Sequence, residues 1–369
     1  MKKVLFLIHD LAHGGAEKVL VNLVNNMDKS KFDITVMTLF DVGVNKQFLN
    51  PDIKYKSVFK KMFPGNSKLM KLFTPRQLHK MFIKDKYDIE IAYLEGPCSR
   101  IISGCTDENT KLVSWIHIEQ HTRERASKSF KSYEEACCCY NRFDKIIGVS
   151  KTVKDDFSSI FAPNKPMDVL YNTNESKQII EKSADKINFD LDSNCVNIIG
   201  VGRLLKNKGF DRIAKIIKRL IDEKYSVHFY LLGIGPEKNS LEQLAQVSGI
   251  SNYFTLLGYD ENPYKYVSKC DLFVCASYAE GFSTAATEAL IVGTPVCTVE
   301  VSGMKEMLGE NNEYGIVCDN DDEALYRAIK DLLDNHDKLM YYKGQAKIRG
   351  KDFSTQKTVQ AVEDMLEKL

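Results

Sequence analysis

The stretch that decides the fold is Cys270–Pro295, CDLFVCASYAEGFSTAATEALIVGTP. Its apolar run Leu272–Ala276 is bounded by polar residues and reads as a short buried strand. A Ser-Tyr-Ala-Glu-Gly turn follows, then an Ala-rich helix predicted over Ser283–Val292, with Gly293 and Pro295 as the stop signal. A strand running directly into a helix N-terminus leaves unpaired backbone N–H groups converging on one spot, which favours an anion. Gly281 lets a ligand approach the backbone closely. Glu280 stands before the helix and Glu288 about 7 Å along it, at ~1.5 Å per residue. That spacing suits hydroxyls on either side of the anion, the layout of sugar, phosphate and sugar in a nucleotide-sugar. The plainer alternative is that both carboxylates only complement the helix dipole, with Glu288 a solvated surface residue.

Working outward, the 369 residues exceed the usual size of a single core, so two domains are expected. With 44% hydrophobic and 27% charged residues the composition is that of a globular protein, and a net charge of +1 gives no reason to expect a nucleic-acid partner. No apolar run approaches the ~20 residues of a membrane span. MKKVLFLIHDLAHGG begins like a signal peptide, but Asp10, His13 and the amphipathic stretch beyond fit a first strand and loop better. The ten cysteines include Cys137, Cys138 and Cys139 in a row, without paired CxxC units for zinc. They read as small apolar residues in a reducing cytosol.

The chain opens as strand (Lys2–His9), Gly14-Gly15 turn, helix (Ala16–Met27) and strand (Phe32–Phe40), the place where α/β folds hold phosphate-bearing ligands, although it is not a GxGxxG turn. Between Lys54 and Lys84 lie nine Lys or Arg and no acidic residue, interleaved with Phe59, Met62, Leu69, Leu72, Met81 and other apolar residues. Two readings stand for this segment: an interfacial membrane contact, or a surface helix with a core-facing apolar side and solvated lysines. Strands are expected at Asp88–Leu94, Lys111–His117 and Asp144–Ser150, and Met167–Asn172 closes the first domain. His117, at a strand's carboxyl end, is either a cleft residue or a structural histidine.

Residues 176–194 are polar with little periodicity and read as a linker. A second α/β run starts at Val196. Arg203 and Lys208 bracket its first strand-to-helix loop; they either neutralise a diphosphate, the Arg as a planar fork and the Lys as a point charge, or are two exposed surface cations. Further strands are expected at Val227–Gly235, Phe254–Tyr259, Pro295–Glu300 and Gly315–Asp319. Helices are expected near residues 321–333, 336–348 and 355–369.

In order, GGAEK (Gly14–Lys18), GRLLKNKGF (Gly202–Phe210), LLGIGPEKNSL (Leu231–Leu241), FTLLGY (Phe254–Tyr259) and EGFSTAATE (Glu280–Glu288) resemble retaining glycosyltransferases of family 4 with the GT-B fold. The resemblance implies two Rossmann-like parallel-sheet α/β domains facing across a cleft. They would be an acceptor-side domain over 1–175, a linker over 176–195 and a donor domain over 196–350, with a helix over 351–369 crossing back to the first. It implies that Arg203 and Lys208 neutralise the diphosphate in place of a metal, so no cofactor or metal is expected. It further implies that Glu280 and the backbone of Gly281, Phe282, Ser283 and Thr284 hold the sugar and phosphates, and that Glu288 takes the ribose hydroxyls. Gly202 belongs to the Arg203 turn, Gly258 and Tyr259 would lie by the base, Gly15 would let the first domain close on the phosphates, and His117 would line the sugar side.

Members commonly carry Gly-Phe-Gly after the first Glu, where this chain has Gly281-Phe282-Ser283; the hydroxyl either alters sugar choice or caps the helix. Ile118-Glu119 also departs from the Asp that often follows the cleft histidine. The expected activity is transfer of a hexose-type sugar from a UDP-sugar, with retention, to a hydroxyl of a glycolipid or polysaccharide. The place of action would be the cytoplasm or the inner face of the membrane, with Lys54–Lys84 as the contact. The alternatives are a non-catalytic nucleotide-sugar or lipid-binding scaffold, which would bind nucleotide without turnover, and a sugar-nucleotide epimerase, which would need no acceptor.

Overall fold

The computed structural model describes residues 1–12, 14–187, 189 and 191–369; His13, singled out above for the first loop, and Asn188 and Asp190 of the expected linker lie outside the described residues. The chain divides into two compact units, Met1–Asn174 with Thr355–Leu369, and Glu175–Ser354. Each is built on one all-parallel sheet, as the near-continuous apolar runs require of strands covered on both faces.

The first sheet contains β1 (Lys2–Ile8), β2 (Phe32–Phe40), β3 (Lys54–Phe59), β4 (Ile89–Ala92), β5 (Lys111–Ile116), β6 (Lys145–Gly148) and β7 (Asp168–Val169), in the order β3-β2-β1-β4-β5-β6-β7. The second contains β8 (Val196–Val201), β9 (Val227–Leu232), β10 (Phe254–Gly258), β11 (Leu272–Cys275), β12 (Val296–Val299) and β13 (Ile316–Cys318), in the order β10-β9-β8-β11-β12-β13. In both, strand order reverses beside the first strand. This reversal makes neighbours of β8 and β11, with Leu272 opposite Ile198 and Phe273 opposite Ile199. The loops leaving them diverge at the carboxyl edge, where doubly wound sheets bind ligands.

Helix faces follow the periodicity: in Phe210–Asp222 the buried set includes Ile213, Ile216, Ile217 and Leu220, all packed on the second sheet's core. The last helix, Thr355–Glu367, belongs to the first unit. Lys2 Nζ donates to Leu366 O at 2.9 Å, the Asp28 amide to Glu363 Oε1 at 2.6 Å, and Thr355 Oγ1 to Asn174 O at 2.6 Å.

Two expectations need correction. Residues 176–195 are not a linker throughout: Ser176–Ser183 is a helix whose Ile179 is buried, packed against the helices Tyr264–Val267 and Thr284–Val292 of the second unit. One apolar residue per turn is too little periodicity to show in the sequence, yet enough to dock a short helix. The Lys54–Lys84 segment is not one amphipathic helix either. It is β3, at the sheet's edge, followed by the short helices Asn66–Met70 and Pro75–Phe82. Phe59 stacks on Phe40 at 5.6 Å and meets Phe63 and Phe82 edge-on, so part of its aromatic content is core. Buried Arg100 fixes the turn between the two helices by donating to Met70 O (2.9 Å) and Phe73 O (2.7 Å), while a near-parallel pair of bonds holds Glu135.

Candidate active site

In the second unit, β8 delivers Gly202 and Arg203, and β11 delivers the loop from Ala276 to Ser283. The two loops are stitched together at the backbone. Gly209 has φ +67°, a conformation natural to glycine, and a Cβ there would stand 2.1 Å from Ala276 O. The Tyr278 amide donates to Asn207 O at 2.8 Å. A sequence separation of 72 is thereby closed, and Lys208 Nζ donates to Glu280 Oε1 at 2.6 Å. Ser277 Oγ donates to the same carboxylate oxygen at 2.8 Å, fixing its rotamer.

The pair is partly solvated, with side-chain exposures of 24% and 12%. An ammonium carries three donors, so Lys208 can hold Glu280 and still offer hydrogens to an incoming phosphate. Arg203 is exposed at the end of β8. Its exposure is compatible with both readings of Arg203, whereas Lys208 is committed to the Glu280 loop.

The helix Thr284–Val292 begins where that loop ends. Ser283 is its N-cap, its hydroxyl accepting from the Ala286 amide at 3.3 Å, so the residue that departs from the family's usual glycine caps the helix. Phe282 turns its ring inward against Phe353, 5.9 Å between centroids, which leaves only backbone from this residue for a ligand. Glu288 is 7% exposed, so the solvated-surface alternative is excluded; Tyr264 Oη reaches its Oε1 at 3.4 Å. Gly258 (φ +75°) accepts at its carbonyl from the Gly233 amide, 2.7 Å, and is followed by Tyr259, 59% exposed. A Cβ on Gly233 would meet Gly202 O at 1.9 Å, so the carboxyl ends of β8, β9 and β10 meet through glycine backbone.

Two predicted residues lie in the first unit. Gly15 is the first residue of the helix Gly15–Asn26, and a Cβ there would meet nothing within 4 Å. Packing of its own unit therefore does not demand glycine at that point. His117 follows β5 and is buried. Its ring lies 4.9 Å from that of Tyr93, its amide donates to Glu95 Oε2 at 3.0 Å, and its Nε2 is buried without a hydrogen-bond partner among the described residues. A buried nitrogen left open is costly unless something else occupies it.

Burial pushes the His117 pKa down to about 3, against a smaller upward pull from the Tyr93 backbone. The imidazole is therefore neutral in the folded protein, while in the unfolded chain it titrates near 6.5. As pH falls below 6.5 the unfolded state takes up the proton first, so stability drops until pH approaches the folded value. Wild type is expected to lose roughly 2 kcal/mol more than His117→Gln between pH 7 and pH 5, read from urea midpoints. Equal slopes for the two proteins would show that His117 is not held neutral.

Ser277, Tyr264 and Glu95 escaped the sequence reading. Each is defined by what it holds rather than by a motif. The adjacency of Ser277 to the Glu280 turn was the only available signal.

The first unit matches the family model Glycosyltransferase Family 4 over residues 13–173, and the second matches Glycosyl transferases group 1 over residues 181–349. The chain is 28% identical over 365 residues, covering 96% of both chains, to N-acetylgalactosamine-N,N'-diacetylbacillosaminyl-diphospho-undecaprenol 4-alpha-N-acetylgalactosaminyltransferase of Campylobacter jejuni. It is 21% identical to the lipopolysaccharide core biosynthesis glycosyltransferase LpsE of Rhizobium meliloti, over 87% of this chain and 86% of that one. Among solved structures it is similar to Anabaena HepE in complex with UDP, with TM-score 0.77, 19% identity and full coverage of both chains. With two doubly wound units and a C-terminal helix returning to the first, the chain is a glycosyltransferase of the GT-B fold, related to the family 4 and group 1 enzymes.

Proposed function

We propose that the protein transfers a hexose-type sugar from a UDP-sugar, with retention at the anomeric carbon, to a hydroxyl of a glycolipid or polysaccharide. The observation that carries this reading is the Lys208–Glu280 pair, held by Ser277 at the mouth of the Ser283-capped helix. It puts a cation, a carboxylate and a helix N-terminus in one loop system at the sheet's switch point. Lys208, Arg203 and the helix N-terminus take the charge that develops on the leaving diphosphate, a task that asks for no metal at this position. Glu280 and the Gly281–Thr284 backbone hold the transferred sugar and the phosphates, Glu288 the ribose, and Gly202, Gly258 and Tyr259 the nucleotide end. Attack comes from the face the diphosphate leaves, and a departing phosphate oxygen receives the acceptor's proton.

The transferred sugar and acceptor classes rest on the Campylobacter relative, whose name specifies an N-acetylgalactosaminyl group and a diphospho-undecaprenol acceptor and which aligns along almost the whole chain; the UDP rests on HepE, solved in complex with UDP. A thermal-shift panel of nucleotide-sugars tests the donor. At a hundred times Kd a donor adds about 2.7 kcal/mol of apparent stability, so UDP-sugars should raise Tm where GDP- and ADP-sugars do not. Stabilisation by another nucleotide series alone would overturn the UDP assignment. Turnover is then read with a polyprenyl-diphosphate-linked oligosaccharide as acceptor.

For the acceptor's membrane, the Lys54–Lys84 segment supplies the surface. Met62, Leu69, Leu72 and Met81 are exposed (51%, 46%, 72% and 39%) among exposed Lys60, Lys61, Lys68, Arg76, Lys80 and Lys84. These apolar side chains insert at the interface while the cations meet anionic headgroups. Each such cation contributes about 1 kcal/mol, so replacing Lys60, Lys61 and Lys68 with Glu should weaken binding to phosphatidylglycerol vesicles by at least about a hundredfold. Unchanged sedimentation with the vesicles would remove the segment from the membrane.

A further inference from the structure

A second constellation of ligating side chains lies in the first unit, unconnected with the donor-site residues of the second. His79 stands on the helix Pro75–Phe82, Glu90 on β4, and Cys105 in the turn beyond the helix Pro97–Ile102. His79 Nε2 and Glu90 Oε2 are 2.7 Å apart, and the ligand atoms of His79, Glu90 and Cys105 all lie within 4.8 Å of one another. The side chain of Glu90 is 2% exposed, on a strand interior where an unpaired carboxylate would be strongly disfavoured. Cys105 is 2% exposed, and the His79 side chain 15%. The cluster lines a surface pocket that also includes Asp85, Asp107 and Glu108 together with Lys86, whose ammonium lies 3.8 Å from Asp107, so the entry path carries three carboxylates and one cation.

We propose that His79, Glu90 and Cys105 bind a divalent zinc ion that ties the helix Pro75–Phe82 to β4 and to the turn at Cys105. One imidazole, one carboxylate and one thiolate are the donor set of a tetrahedral zinc site with its fourth position open to the pocket. Bond lengths of ~2.0 Å to N and O and ~2.3 Å to S set tetrahedral ligand atoms about 3.3–3.8 Å apart. To reach that spacing the His79–Glu90 pair, at 2.7 Å, opens by about 0.6 Å, and the longer separations, at most 4.8 Å, close by up to about 1 Å, both within the reach of side-chain rotation. The alternative is a purely organic cluster in which the imidazole serves only as the buried partner of Glu90. It predicts no metal affinity.

The two are separated by cobalt titration of the whole, metal-stripped protein. Co2+ bound through Cys105 gives an intense near-ultraviolet thiolate-to-metal band, saturating at one ion per chain and displaced by Zn2+. The band is expected to survive Cys138→Ser, a change in the exposed member of the cysteine triplet, and to disappear in Cys105→Ala. His79→Gln, at a position less buried than Cys105 and so the safer variant for folding, should weaken Zn2+ binding by at least about tenfold in equilibrium dialysis. Zn2+ should also raise Tm in wild type and in Cys138→Ser, but not in His79→Gln. No band in wild type, a band that persists in Cys105→Ala, or full Zn2+ affinity in His79→Gln would each overturn the site.

Discussion

Lys208→Ala is expected to lower kcat by roughly 10²–10³-fold, a loss of about 3–4 kcal/mol of transition-state stabilisation, by analogy with removing one donor from an oxyanion site. Charge builds on the diphosphate only as the sugar departs, so the interaction strengthens along the reaction, and kcat and kcat/KM should fall together. Two effects combine. The ammonium is lost, and the Glu280 carboxylate it held at 2.6 Å is left with the Ser277 hydroxyl beside an incoming dianion. Lys208→Ala with Glu280→Gln should therefore be less impaired than the two single losses added, because the carboxylate no longer repels the phosphates. Arg203→Ala should cost less than Lys208→Ala, since Arg203 is exposed and must be recruited by the ligand. The lysine pair is partly solvated, so its removal should leave Tm almost unchanged, which separates a chemical defect from an unfolded one. Near-normal turnover of Lys208→Ala with a donor that binds would remove Lys208 from the mechanism.

The legibility of this site in the sequence was uneven, for physical reasons. β2, Phe32–Phe40, and the core-facing stripe of the helix Phe210–Asp222 could be read because a strand covered on both faces gives a near-continuous apolar run and a one-sided helix imposes a period of about 3.6. The Lys208–Glu280 encounter could not be read from spacing. It depends on β8 and β11 being neighbours, which is a property of strand order, and on Gly209 passing under Ala276. The family resemblance placed both residues at the donor, Lys208 on the diphosphate and Glu280 on the sugar and phosphates; the parallel register shows how they meet. Glu288 gave an ambiguous signal, because an acidic residue in a helix's second turn looks the same in sequence whether buried or solvated. The helix Ser176–Ser183 and edge strand β3 were missed for the complementary reason. Both are short and largely exposed, so few residues carry a pattern, and tertiary packing rather than propensity holds them.

Arg212 is the least legible residue of all, a charged side chain on a helix that is 1% exposed, and its removal should be the largest stability loss in the second unit. Its Nε donates to Asp322 Oδ1 at 2.6 Å, and its Nη1 donates to Ala276 O at 3.0 Å and Asn320 Oδ1 at 2.7 Å. The guanidinium also lies 4.8 Å over the Tyr278 ring. One planar fork thus anchors the start of the Glu280 loop and the turn before the helix Asp322–Asp334. Arg212→Ala leaves the Ala276 carbonyl short of a donor in a buried site and opens a void where the stem was packed, while the exposed Asn320 side chain returns to water. At about 1–3 kcal/mol per stranded buried group, tempered by relaxation of the turn, the expected loss is roughly 3 kcal/mol. For a unit of this size that corresponds to a fall in Tm of about 6–12 °C. Arg212→Lys should recover only part of the loss, because a point charge cannot serve three acceptors in a plane. Asp322→Ala should cost less than about 1 kcal/mol, because that carboxylate is 52% exposed and returns to water. Donor turnover should fall in Arg212→Ala even below its unfolding range, since the loop carrying Glu280 is released from its carbonyl anchor. A Tm within a degree or two of wild type would show that the loop holds its place without Arg212, and that the alignment of Glu280 with Lys208 comes from the Gly209 crossing alone.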